Sequence, residues 1–339
     1  MARPAGKVDF TKFGIPSKQW LAASLALAQL FAPGWLLRAD QKKKDPNAIG
    51  DRKVSGGANF YSLEKEIALG KQLSIEVQKQ AKLVDDPIVT EYLNRLGQNL
   101  VRNSDVNFPV SFTLIDADEV NAFTLPGGFI FLSTGALRLS DNEAELASVL
   151  AHELGHAAAR HATRQATREQ MISYGTIPLS IMGGVAGLAA RQAAGLMAPM
   201  AFFHFSRAFE TEADLLGIQY LWKAGYDPNA SVDMFERVES TERRQPGAVS
   251  KLFRTHPLTS DRIEKTQQSI SELLPQHAEY VLNTSEYEDV RQRLNDITAQ
   301  RKVDPKQANK PTLRRSPGEQ MLPGEQIADA DEHPSVRRH

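Results

Sequence analysis

Between residues 62 and 102 the apolar positions recur at helical spacing. Ser62 precedes a first turn carrying Glu64 and Glu66, and Ile67, Leu69, Leu73 and Val77 follow, which predicts a helix capped by Ser62. Asp85-Asp86-Pro87 is a second start signal, with Pro87 suited to a first turn and Ile88, Tyr92, Leu93 and Leu96 on one face. The period then changes. Val110, Phe112 and Leu114 alternate with Ser111 and Thr113, which predicts a strand. Asp116-Ala117-Asp118 and Pro126-Gly127-Gly128 read as turns, and Phe129 to Leu132 as a short, fully apolar strand. Ser140 and Glu143 form an S-x-x-E capping box that opens a further helix through residue 156 and beyond. Helices, a small sheet, then more helices predict an α+β fold that is mainly helical.

The chain ends differ from this body. Residues 20–37 form an 18-residue run without a charge, preceded by Arg3, Lys7, Lys12 and Lys18 against the single Asp9, the order of an export signal. Pro33 and Gly34 break the run before it reaches the ~20 residues that span a bilayer comfortably. A cleaved signal and a retained anchor both stay open, and no cysteine exists to carry a lipid. From Arg301 onward the chain has five prolines, 14 charged residues and no aromatic one, a composition that predicts a disordered tail. The expected organisation is 1–45 as export signal or membrane anchor with linker, 46–300 as the functional domain and 301–339 as tail. Ile172 to Ala190 is another uncharged stretch, but Gly175, Gly183, Gly184, Gly187 and Pro178 favour a buried or lid-forming helical pair over a membrane span.

Composition narrows the chemistry. With no cysteine in 339 residues, disulfide scaffolds, zinc fingers, iron–sulfur clusters and a cysteine nucleophile are excluded. A transition-metal site must use histidine and carboxylate, and eight histidines are available. A formal net charge of −1 gives no support to a nucleic-acid surface.

His152-Glu153-Leu154-Gly155-His156 is an H-E-x-x-H motif. Four residues advance a helix by about 400°, so both imidazoles lie on one face and can grip one zinc ion, with Glu153 beside it to deprotonate water. A catalytic zinc needs a third protein ligand. His161 is five residues past His156, about 140° away on a continuous helix, and is not expected to reach the ion. Ala159 and Ala162 stand where an extended metzincin motif would need glycine and histidine. The third ligand then comes from Phe205 to Asp214, where Glu210 and Asp214 share a helix face: Glu210 to the metal, Asp214 accepting the ring N–H of a ligand histidine, and Glu212 facing elsewhere. Taken alone, the same residues also read as a solvated acidic helix start.

Four blocks in order carry a family resemblance: Asn121-Ala122-Phe123 with Leu125-Pro126-Gly127-Gly128, the His152–His156 core, Ser206-Arg207 followed by Glu210-Thr211-Glu212-Ala213-Asp214, and Thr255-His256-Pro257 with Arg262. Over residues 60–295 the chain resembles the zinc metallopeptidases that include the CAAX prenyl endopeptidases, the heat-shock membrane protease HtpX and exported periplasmic relatives that also act as outer-membrane assembly factors. The resemblance implies a gluzincin-type fold with the active-site helix next to a small sheet, and one zinc per chain on His152, His156 and Glu210. It implies Asp214 beside a ligand histidine, and His256 on a loop that either plugs the open metal position or steadies the oxyanion. The strand after Pro126-Gly127-Gly128 is then expected to be an edge that accepts an extended substrate.

The resulting expectation is an exported endopeptidase, periplasmic or membrane-anchored through its N-terminus, that hydrolyses unfolded or misassembled envelope polypeptides in protein quality control. The rival is an envelope chaperone or assembly factor that uses the same cleft for binding. Prenyl-protein processing is weaker, because the hydropathy lacks a membrane-enclosed chamber.

Overall fold

The computed structural model describes residues 43–175, 205–247, 256 and 260–303. The export-type run, nearly all of the uncharged Ile172 to Ala190 stretch with the residues that follow it up to 204, and the tail beyond residue 303 lie outside the described residues. The chain divides into two units, 1–295 and 296–339, and of the second only helical residues 296–303 are described. That helix continues three residues into the segment expected to be disordered.

Helix α1 spans Leu63–Gln80 and α2 Pro87–Arg102. Both start where their polar signals place them. Ser62 Oγ accepts from the Lys65 amide, and the Asp86 carboxylate accepts from the Ile88 and Val89 amides with Pro87 in the first turn. Strands β1 (Ser111–Ile115), β2 (Ala122–Leu125) and β3 (Phe129–Ser133) form one sheet in the order β1-β3-β2. β1 runs parallel to β3 with Phe112 opposite Ile130, and β2 runs antiparallel to it with Thr124 opposite Ile130. The strand after Pro126-Gly127-Gly128 is therefore central, not an edge. Its Phe129 to Leu132 run is apolar because both faces of the strand are covered, with Ile130, Phe131 and Leu132 all buried, and the edge beside the site is β2.

A short α3 (Thr134–Leu139) leads into α4 (Glu143–Ala158). The expected capping box is displaced by two residues. Asn142 Oδ1 accepts from the Glu145 amide at 2.9 Å, and Glu145 Oε2 accepts from the Asp141 amide at 2.9 Å. Ser140 instead closes α3, and Glu143 is buried, bonded by Tyr226 Oη and by Thr284. The helix also ends earlier than its apolar pattern suggests. Arg160 has φ of 57°, a left-handed conformation that stops α4 and starts α5 (His161–Gly175) in a new direction.

Helices α6 (Arg207–Lys223), α7 (Ala230–Arg244), α8 (Ser260–Leu273) and α9 (Ser285–Val303) follow, and a 3-10 turn, Pro46–Ala48, precedes α1. α4 is the axis of the core, burying Leu146, Leu150 and Leu154 against Leu93 and Leu100 of α2, Leu132 of β3 and Leu216 and Tyr220 of α6. The α4–α6 contact is made at glycine. A Cβ on Gly155 would sit 2.8 Å from the Ala213 carbonyl oxygen, and one on Gly217 would sit 3.1 Å from the His152 amide nitrogen. The two backbones approach more closely than any side chain there permits.

Gly155→Val is expected to destabilise the protein by about 1–3 kcal/mol through overpacking against backbone that cannot rotate aside. An unchanged urea midpoint would contradict that close approach. A second expectation concerns acid. The Arg293 guanidinium donates to both Asp86 oxygens at 2.8 and 2.7 Å and outweighs burial, holding the carboxyl below its ordinary 3.8. A depressed carboxylate stabilises the fold above its unfolded pKa, and that stability is lost as pH falls through the folded value. Asp86→Asn keeps a capping side chain, so its deficit reads the ion pair, at most about 1 kcal/mol at this partly exposed site. That deficit should shrink in denaturant titrations taken from about pH 6 to about pH 3, whereas a constant deficit would assign the effect to something other than charge.

Candidate metal and catalytic centre

His152 and His156 stand one turn apart on α4, and their Nε2 atoms are 3.1 Å apart. The glycine contact brings α6 close enough for Glu210 to reach both. Its Oε2 lies 3.5 Å from His152 Nε2 and its Oε1 3.4 Å from His156 Nε2. His256 closes the group, its Nδ1 3.2 Å from Glu210 Oε1 and 3.3 Å from His152 Nε2. The four side chains each offer one donor atom, all within 4.8 Å of one another. Glu210, His156 and His256 are buried, and His152 is the most open of the four. Imidazole and carboxylate donors converging in this way suit a divalent transition metal.

Two further carboxylates face the same ground. Asp214 Oδ1 is 2.9 Å from His152 Nδ1, the nitrogen turned away from the cluster. Arg262, on α8, clamps Asp214 with Nε and Nη2 at 2.8 and 2.7 Å, and its Nη1 reaches Glu210 Oε2 at 3.0 Å. Burial pushes the Asp214 carboxyl up, but Arg262 and then His152 hold it below the usual carboxylate range. Burial likewise works against ionised Glu210, and His256, His152 and His156 outweigh it, keeping that carboxyl well down. Burial drives His156 well below the ordinary imidazole value. His152 goes the other way. Burial opposes its charge, yet Asp214 and Glu210 lift its pKa to about 10. Glu153, Glu210 and Asp214 thus surround the imidazoles, and among the described residues Arg262 is the fixed positive charge that meets them, an environment that favours an added cation. A metal ion would occupy the place that a proton on His152 otherwise fills.

Glu153 is buried beside the cluster. Thr124 Oγ1, on edge strand β2, lies 2.7 Å from Glu153 Oε2 and 2.9 Å from the Glu153 carbonyl, and its single proton can go to either. Glu153 Oε1 is 3.3 Å from His256 Nε2. Thr124 carries no motif signal, because its role depends on a neighbour 29 residues away. An apolar pocket opens beside His152 and Glu153, walled by Val120, Ala122, Val149, Ile218, Met234 and Phe235.

The two other histidines among the described residues, His161 and His277, are not among the four donors. His277 lies in the loop between α8 and α9, stacked on Tyr280 at 5.2 Å between ring centroids. His204 and the two histidines of the tail lie outside the described residues. His161 does not join the four donors, but neither does it face away. The break at Arg160 turns its ring back onto His156, with the two Nδ1 atoms 2.9 Å apart.

The sequence matches the family model for peptidase family M48 over residues 87–270, from the start of α2 into α8. It is 33% identical over 235 residues to the beta-barrel assembly-enhancing protease of Yersinia pestis, covering 67% of this chain and 48% of that protein. Against the Escherichia coli K12 protein of the same name it is 31% identical over 263 residues, covering 75% and 52%. Against the metalloprotease LoiP of Escherichia coli K12 it is 28% identical over 223 residues, covering 64% and 86%. The chain spans about half the length of the two assembly-enhancing proteases. The matched segment contains His152, Glu153, His156, Glu210, Asp214, His256 and Arg262. The chain belongs to peptidase family M48, the zinc metallopeptidases that its motifs resemble.

Proposed function

We propose that the chain is a zinc-dependent endopeptidase acting on unfolded or misassembled polypeptides of the cell envelope. The observation that carries this reading is the convergence of His152, His156 and Glu210 beside a buried Glu153. In this reading the three hold one zinc ion, which when bound supplies a Lewis acid that acidifies water and polarises a peptide carbonyl. Glu153 takes a proton from the attacking water and returns it to the leaving amine. Thr124 holds one of its carboxylate oxygens and leaves the other to do this work. Asp214, itself locked by Arg262, accepts the Nδ1 proton of His152 and so turns that ring's Nε2 lone pair inward.

The substrate reading rests on β2 and the pocket. Among the described residues β2 has a sheet neighbour on one side only, so an extended peptide can add to it beside α4, and the apolar walls suit an uncharged side chain. Folded proteins hold most of their extended segments in sheets and most of their large apolar side chains in the core, whereas unfolded chains offer both. An envelope site agrees with the basic-then-apolar N-terminus and with the names of the assembly-enhancing relatives. Among the described residues no helix is long and apolar enough to cross a membrane. A holding or assembly role for the same cleft is favoured by one feature. His256 stands where it completes a four-donor set, and a closed set leaves no position for water. Both readings are reconciled if His256 plugs the site and swings out when substrate enters.

Metal analysis combined with digestion of unfolded casein tests these roles. Glu153→Gln should keep its zinc and lose about 10²- to 10⁴-fold in kcat. His152→Ala should lose the zinc. Proteolysis surviving in a clean Glu153→Gln preparation would sink the catalytic assignment. His256→Ala should raise casein turnover while retaining the metal, whereas lower turnover with metal retained would replace the plug by an oxyanion role.

A further inference from the structure

Each imidazole of the cluster has a second nitrogen, and what it touches decides which nitrogen is free for a metal. For His152 that partner is Asp214. For His156 it is another histidine. His156 Nδ1 lies 2.9 Å from His161 Nδ1, and His161 Nε2 lies 3.1 Å from Glu212 Oε2. Glu212 is pinned from its other side by Lys43 Nζ at 2.6 Å on Oε1, and by Arg164 Nη1 at 3.0 Å on Oε2. His161 is fully buried, stacked on Phe209 at 4.4 Å between ring centroids.

We propose that His161 and Glu212 are positioning residues for the metal, setting the tautomer of His156 so that its Nε2 lone pair faces the cluster. The inference rests on the zinc reading above and adds a relay to it. Glu212, paired with Lys43 and Arg164, is an acceptor only, so it requires a proton on His161 Nε2. A neutral His161 then presents a bare Nδ1, which must receive a proton from His156 Nδ1. A neutral His156 protonated at Nδ1 has its lone pair on Nε2, the atom 3.4 Å from Glu210. The opposite arrangement places the proton on His156 Nε2, where it blocks the metal, and sets the bare Nε2 of His161 against a carboxylate. Glu212 thereby excludes the unproductive tautomer from two rings away.

The relay exists because α4 stops at Arg160. On a continuous helix His161 would lie about 140° from His156. Arg160 is the only non-glycine residue with positive φ among the described residues, and tertiary contacts hold it there. Its Nε donates to buried Glu66 at 2.6 Å and its Nη2 to the Tyr61 carbonyl at 2.8 Å. Thr163, one turn into α5, donates to the same Glu66 oxygen.

Zinc affinity measured by chelator competition on the full chain, with the thermal midpoint of the metal-free form as a fold control, tests the relay. His161→Phe keeps an aromatic ring against Phe209 and leaves Glu212 paired with Lys43 and Arg164. Zinc binding should weaken about 10- to 100-fold. Glu212→Gln, which can present either an oxygen or an N–H to His161, should weaken binding less. Affinity within twofold of wild type in a folded His161→Phe protein would overturn the proposal. A measurement on the wild type decides independently of the variants. ¹⁵N NMR of the zinc-loaded chain should show His156 protonated at Nδ1 and metal-bound at Nε2, and the reverse assignment would refute the relay. If the zinc reading itself were wrong, wild type would bind zinc no better than His152→Ala. Failure of the relay alone leaves that difference intact.

Discussion

The close approach of α4 and α6 is the constraint on which the site depends. Gly155 and Gly217 let the two backbones meet, and at that separation a glutamate from α6 spans the distance to two imidazoles on α4. Because a carboxylate side chain has a fixed reach, an extra ångström between the axes would leave Glu210 facing one ring or neither. The leucines of α4 stabilise the fold, but the glycines set where its chemistry stands.

That approach concentrates negative charge in a buried place. Glu210 and Asp214 stay ionised although burial opposes it, and Arg262 offsets only part of their charge. His152 answers by holding a proton far above its ordinary range. A metal and that proton would therefore compete for the same electrostatic well, so metal loading would release it, and a metal-free chain carries the positive charge on His152 instead. Arg262 fits this balance, since it orients both carboxylates without neutralising them fully.

Much of the scaffold is legible in the sequence because its signals are local. Ser62 and Asp86 cap the helices they precede, the alternation around Phe112 marks β1, and the spacing of His152 and His156, like that of Glu210 and Asp214, sets common faces on α4 and α6. What escaped the sequence is set by distant contacts. Strand β2 is four residues long, lacks clean alternation, and buries Thr124 for a bond to Glu153. Asn142 wins the cap from Ser140 because Glu143 is drawn into a bond with Tyr226, 83 residues away. The turn at Arg160 has no glycine to announce it, and it depends on Glu66, 94 residues earlier. His161 thus reads as an outward residue until the helix is known to break.

The shortness of β2 bears on how such a protein would choose what to cut. Four residues of edge extend about 13 Å, room for little more than four residues of a visiting chain. Backbone hydrogen bonds along that edge are indifferent to side-chain identity, so recognition there would turn on whether a stretch of chain can be drawn straight. A native domain would have to surrender that stretch by local unfolding, at a free-energy cost that a misassembled chain has already met. Selectivity of this kind would measure a client's stability rather than its sequence, with a threshold set by the length of one strand.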